Sequence, residues 1–154
     1  MQKNENEEGD LYGEVPASVK GLVLAVESNN WQAVEDWCIN NSSTSQDRKM
    51  VCEWAVGHVV EFDGHEILRI LLRTAMKFEF DPFRDKWYAV RMASLFGSIN
   101  CVKLFLEYAK GRGEVLEDKV RSSMVQMAQI PKIGKSSDFV NQLQRALSVF
   151  NEGE

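Results

Sequence analysis

The feature that most limits what this chain can fold into is a pattern that returns at a spacing of 34 residues. In "MASLFGSINCVKLFLEYA", residues 92–109, Ala93 is followed four positions on by Gly97 and nine on by Val102, which opens the apolar series Val102, Leu104, Phe105 and Leu106. In "LAVESNNWQAVEDWCI", Ala25 stands in the same relation to Asn29 and Val34, with Trp37 and Cys38 beyond. Glycine and asparagine most readily close a helix in the left-handed conformation, so the two segments share a mechanism as well as a spacing. "WAVGHVVEFDGHEILRILL" has the pattern with a longer turn, Ala55 leading to Gly64, His65 and then Ile67, Leu68, Ile70, Leu71 and Leu72. A fourth version, "MAQIPKIGKSSDFVNQLQRALSVF", carries Ala128, a break from Pro131 to Gly134, and Phe139, Val140, Leu143 and Leu147.

Aligned on the second apolar stretch, the anchors Val34, Leu68, Val102 and Val140 are separated by 34, 34 and 38 residues. A helix–turn–helix unit of this size cannot bury its own apolar face, so successive units must stack. The spacing therefore predicts an all-α chain, a solenoid of about four stacked helix-turn-helix units, with helices at 17–28, 31–41, 47–61, 65–77, 85–96, 98–110, 116–129 and 136–150.

The third unit, "AVRMASLFGSINCVKLFLEYA", resembles an ankyrin repeat, whose pattern is an apolar first helix ending in Ala-Ala, a Gly-His turn and a second helix of Val-Val-x-Leu-Leu-Leu type. Ala93, Gly97, Val102, Leu104, Phe105 and Leu106 stand where that pattern wants them, and Gly64-His65 supplies the Gly-His pair in the second unit. The resemblance covers residues 17–150. It departs from the family at the start of each first helix, where Thr-Pro-Leu-His is replaced by "KGLV", "MVCE", "YAVR" and "SMVQ", leaving only the central apolar position as Leu22, Cys52, Val90 and Val125. The Asp and Gly of the family's projecting hairpins are largely missing. The period also suits tetratricopeptide repeats, but the glycine and aromatic spacing of their first helix is absent. What the resemblance implies is a protein-binding module that meets its partner on the concave surface made by the first helices and the connections leading into them.

Composition fixes the boundaries. Residues 15–150 form one expected domain, long enough to bury roughly two thirds of its unfolded surface. The first fourteen residues, "MQKNENEEGDLYGE", hold one Lys against five carboxylates and read as a disordered acidic tail, and 151–154 read as a second, short acidic tail. The start lacks the basic and apolar segments of a secretory signal, and no run approaches 18 apolar residues. A soluble intracellular protein, cytoplasmic or nuclear and without a membrane partner, is the expectation. Cys38, Cys52 and Cys101 have no paired spacing and sit among apolar residues, which favours buried thiols over disulfides.

Slots shared between units suggest what is core. Leu24, Trp54, Met92 and Met127 each precede the small Ala; Trp31 pairs with Ile99, and Trp37 with Phe105. Apolar residues at helical spacing ordinarily form a core, so Trp31, Trp37 and Trp54 are expected inside. Trp87 differs, lying with Phe83 and Tyr88 in "DPFRDKWYAVR", the connection into unit three. Two readings stand open for it: a binding residue on the concave face, or a plug in the seam between units two and three. The expected partner-binding set is Trp87, Tyr88, Arg91, Lys86 and Arg84, with Arg48, Lys49 and Glu53 from unit two. Large aromatics and Arg are the residue types that dominate binding energy.

Charge and motif exclude other classes. Net charge is −4 over 1–14, −4 over 15–83, +5 over 84–135 and −2 over 136–154. The positive half is the basis of an alternative role in nucleic-acid association, but its excess is thinly spread, unlike the dense basic stripe of a dedicated binder. Cys52, His58 and His65 match no ligand spacing for zinc, and the six-residue offset of Cys52 from His58 puts them on different helix faces. "AKGRGEV" lacks the pattern of a phosphate cradle and reads as a helix stop. The expectation is thus a non-enzymatic adaptor or inhibitor with no cofactor and no metal, acting on another protein.

Overall fold

The computed structural model describes residues 17–41 and 45–152, and the acidic tail expected over 1–14 lies outside them. The chain is all-helical across these residues: α1 (Ala17–Glu27), α2 (Trp31–Asn40), α3 (Gln46–Val59), α4 (His65–Arg73), α5 (Arg84–Phe96), α6 (Ile99–Arg112), α7 (Asp118–Ala128) and α8 (Phe139–Glu152). α8 continues through Glu152, into the first residues of the expected short acidic tail.

Local chemistry sets the helix ends. Asn30 and Ser45 cap α2 and α3, their side chains accepting the N–H groups of Ala33 and Arg48 at 3.1 Å each. α5 and α6 stop at Gly97 and Gly113, which take the left-handed conformation at φ 77° and 73°. The equivalent left-handed position in the first two units is filled by Asn29 (φ 54°) and Asp63 (φ 56°). In unit two the glycine next to it, Gly64, instead starts α4, and a β-carbon there would lie 2.4 Å from the Phe62 ring.

The odd-numbered helices form one row, in which α1 meets α3, α3 meets α5 and α5 meets α7. The even-numbered helices form a second row in the same order, and each odd helix also packs on the even helix that follows it. Between the rows lies the core, with Leu22, Val34, Ala55, Leu68, Leu71, Ala93, Val102, Phe105, Met124 and Leu143 buried.

Polar groups reach across between pairs. The Asp63 carboxylate accepts the Cys101 backbone N–H (3.0 Å) and the Asn100 amide (2.9 Å), so the turn of the second pair caps α6 of the third. Ser98, at the start of α6, donates its hydroxyl to the Val60 carbonyl. Lys77 donates to the Cys38 carbonyl at 2.6 Å near the end of α2. Lys135 donates to the Met127 (3.3 Å) and Ala128 (3.1 Å) carbonyls at the end of α7. Burial, and then the charge of Lys132, hold the Lys135 ammonium below the ordinary lysine range.

Three expectations about the core need correcting. Trp37 is buried, but Trp31 is 45% exposed and Trp54 37% exposed, and Leu24 is exposed as well. Within the shared slot before the small Ala, Leu24 and Trp54 stand open while Met92 is half-buried against the core, and the alanines themselves, Ala25, Ala55, Ala93 and Ala128, are buried. Trp31 opens α2 in the first pair, and no earlier helix pair among the described residues covers it.

The cleft between α3 and α5

The row of odd helices is thinnest where α3 meets α5, and a cleft of about 260 Å³ opens there. One wall is α3, with Glu53, Trp54, Gly57, His58 and the following Glu61; the other is α5 with Arg84, Tyr88 and Ala89; Phe80, Asp81 and Pro82 of the connection close one end. Met50, Trp54 and His58 recur every four residues along α3, placing them on one face, and Phe62 continues the row just beyond the helix. Indole and imidazole stack at 5.0 Å with 17° between their planes, and His58 meets the edge of Phe62 at 5.7 Å. Met50, Trp54 and Phe62 are exposed.

Entry into α5 is made by an unusual turn. Asp85, Lys86 and Trp87 all have left-handed backbone angles, with φ 57°, 56° and 63°. Each such non-glycine residue costs on the order of 1–2 kcal/mol, so the turn persists only because neighbours hold it. Arg91 supplies one restraint, its guanidinium donating to the carbonyls of Lys86 and Asp85 at 3.0 Å each. Trp87 supplies the other: it is only 6% exposed and packs on Phe83 at 4.6 Å between ring centres. Phe83 in turn meets Phe105 and Tyr108 of α6 at 6.1 Å each.

The expected binding residues therefore divide. Tyr88 (47% exposed), Arg84 and Glu53 line the cleft, and Arg84 is paired with Glu53 at 3.7 Å and with Asp85 at 2.9 Å. Lys86 is exposed on the left-handed turn. Arg91 is half-buried, with its charge committed to that turn and its guanidinium 5.6 Å from the Tyr88 ring centre. Arg48 and Lys49 are half-buried in the first turn of α3, Arg48 donating to the Asn41 side chain at 3.2 Å. Trp87 presents no ring to a partner, and of its two readings the seam plug is the one its burial supports. Trp54, His58, Glu61 and Asp81 were not singled out for this face, although the four-residue spacing of Met50, Trp54, His58 and Phe62 was a legible signal.

The cysteines offer no chemistry here. Cys38, Cys52 and Cys101 are buried free thiols. Burial pushes all three thiols up, Cys52 to about 12, with lesser contributions from the nearby Cys38 and Glu53 in that case. A thiol so shifted is a poor nucleophile. Among the described residues no group of three or more His, Cys, Asp or Glu is placed to hold a metal ion, and no helix is long and apolar enough to cross a membrane. Comparison with protein-family models, with curated proteins and with solved structures finds no match to this chain.

Proposed function

We propose that this chain is a non-enzymatic protein-recognition module, a solenoid of about four ankyrin-like helical hairpins that serves as an adaptor or inhibitor by binding a partner protein along its odd-numbered helices. One observation carries the reading: exposed Trp54, stacked on His58, faces exposed Tyr88 across an open cleft. Aromatic side chains held half-open beside a concavity supply the large desolvation energy of an interface at little entropic cost, since stacking already restricts their rotamers. The surrounding Glu53–Arg84 pair gives a polar rim.

The test is a quantitative pull-down with the tagged full chain, comparing wild type with Trp54→Ala/Tyr88→Ala, after nuclease treatment. The expected result is a protein captured by wild type and lost with the double variant, whose melting temperature stays near that of wild type. Capture that is unaffected by the double substitution, or that disappears with nuclease, would contradict the proposal.

A further inference from the structure

The chemistry of the cleft narrows what can enter it. Its basic groups are already committed: Arg84 to Glu53 and Asp85, Arg91 to the left-handed turn. Its acidic groups are in excess. Glu61 and Asp81 line the cleft and form no ion pair among the described residues, and Asp81 uses only one carboxylate oxygen, accepting the Phe83 N–H at 2.9 Å. Beside them stands the Trp54 indole, one face covered by His58 while more than a third of the residue remains open. Tyr88 on the far wall already holds a guanidinium near its ring, which shows the kind of contact these walls make. Carboxylates next to an accessible indole face match a side chain that is cationic and partly apolar, which sits on the ring while its charge reaches the carboxylates.

We infer that the α3/α5 cleft receives the side chain of an arginine or lysine from a basic, extended segment of the partner protein. This rests on the reading of the cleft as the docking face. Glu61 and Asp81 fix the sign of the charge, Trp54 provides the stacking surface, and Pro82 with Ala89 bounds the space for the aliphatic stem.

The probe is a capped hexapeptide alternating glycine and arginine, titrated into the full chain by calorimetry and by tryptophan fluorescence, beside the matching glycine–glutamate peptide. The arginine peptide is expected to bind and the glutamate peptide not to. Glu61→Gln with Asp81→Asn is expected to weaken binding about tenfold. The control, Glu107→Gln with Glu117→Gln, removes the same charge from exposed positions elsewhere and is expected to change affinity less than about twofold, as screened charges do. Trp54→Ala should cost about tenfold and Trp54→Phe much less, since an aromatic face is restored. Equal weakening by the cleft pair and the control pair would overturn the inference, as would absent binding or a preference for the glutamate peptide. If the peptide fails while the pull-down still depends on Trp54 and Tyr88, the docking face stands and the cationic occupant falls.

Discussion

The two rows of helices are built from the same hairpins, and both carry clefts, but the linings differ. In the even row a cleft of about 290 Å³ between α6 and α8 is lined by Leu106, Val149 and Phe150 with Lys103 and Lys110, and one of about 200 Å³ between α2 and α4 by Ile39, Ile70, Arg73 and Lys77, whereas the α3/α5 cleft of the odd row is lined by Trp54, His58 and Tyr88. The small alanines of the odd row are buried on both sides of that cleft, Ala55 at one wall and Ala93 at the other, so they do not explain the difference. Part of the difference lies in the connection. Between α4 and α5 the chain buries Phe78, Phe80, Phe83 and then Trp87: Phe78 packs on Trp37 of α2, Phe83 joins Trp87 to Phe105 and Tyr108 of α6, and Phe80 closes one end of the cleft. The lesson is that contact between successive hairpins is set by helix faces, while the lining of the α3/α5 cleft also draws on a connection.

Alkaline titration should weaken both rows, since Cys38 and Cys101 lie in even helices and Cys52 in α3. Each buried thiol has its pKa raised above the ordinary value of 9.0, so each contributes stability that is present below pH 9 and lost as ionisation becomes favourable only in the unfolded chain. Melting temperature is expected to fall steadily from pH 9 towards 12, and a disulfide reagent at pH 8 should label the thiols only after unfolding. Immediate labelling of the native chain would contradict their burial.

Truncating the buried aromatic cluster comes next. Trp87→Ala is expected to cost about 3–5 kcal/mol in stability, as large-to-small aromatic changes in cores do, and Phe105→Ala a similar amount. Denaturant unfolding measures both. A Trp87→Ala protein with unchanged stability but lost partner binding would restore Trp87 to the interface and contradict its role in the buried cluster.

Smaller effects sharpen the account of the joints. Asp63→Ala should cost about 1–2 kcal/mol, because α6 loses a cap supplied by the preceding pair. Lys86→Gly is expected to raise stability by about 0.5–1 kcal/mol by relieving one left-handed residue. A destabilised Lys86→Gly variant would show that the turn does not hold the conformation described. Smallest of all, Tyr88→Ala should change stability by less than about 0.5 kcal/mol, since its ring stands on the open rim.

Much of the helical layout was legible in the sequence, because apolar spacing and the turn residues are local signals. Val34, Leu68 and Val102 are fully buried and Val140 half-buried, as anchors of the second helices. α4 ends at Arg73, earlier than the spacing implied, because Thr74 turns its hydroxyl onto the Leu71 carbonyl and the chain leaves the helix. The exposure of Trp54 was not legible. Periodicity says which residues share a face, but whether a neighbouring helix covers that face depends on how the helices pack, a non-local matter. Nor did "RDKW" announce a left-handed turn, since it contains neither glycine nor asparagine. The restraint comes from Arg91 and Phe83, and only the folded chain brings them to it.

Oxidative footprinting of the chain, alone and with its captured partner, tests most directly whether the open seam is the docking surface. The expected result is that Trp54 and Tyr88 are modified in the free chain and protected in the complex, while exposed Trp31, outside the cleft, reacts equally in both. Protection of Trp31 with Trp54 and Tyr88 unchanged would contradict it.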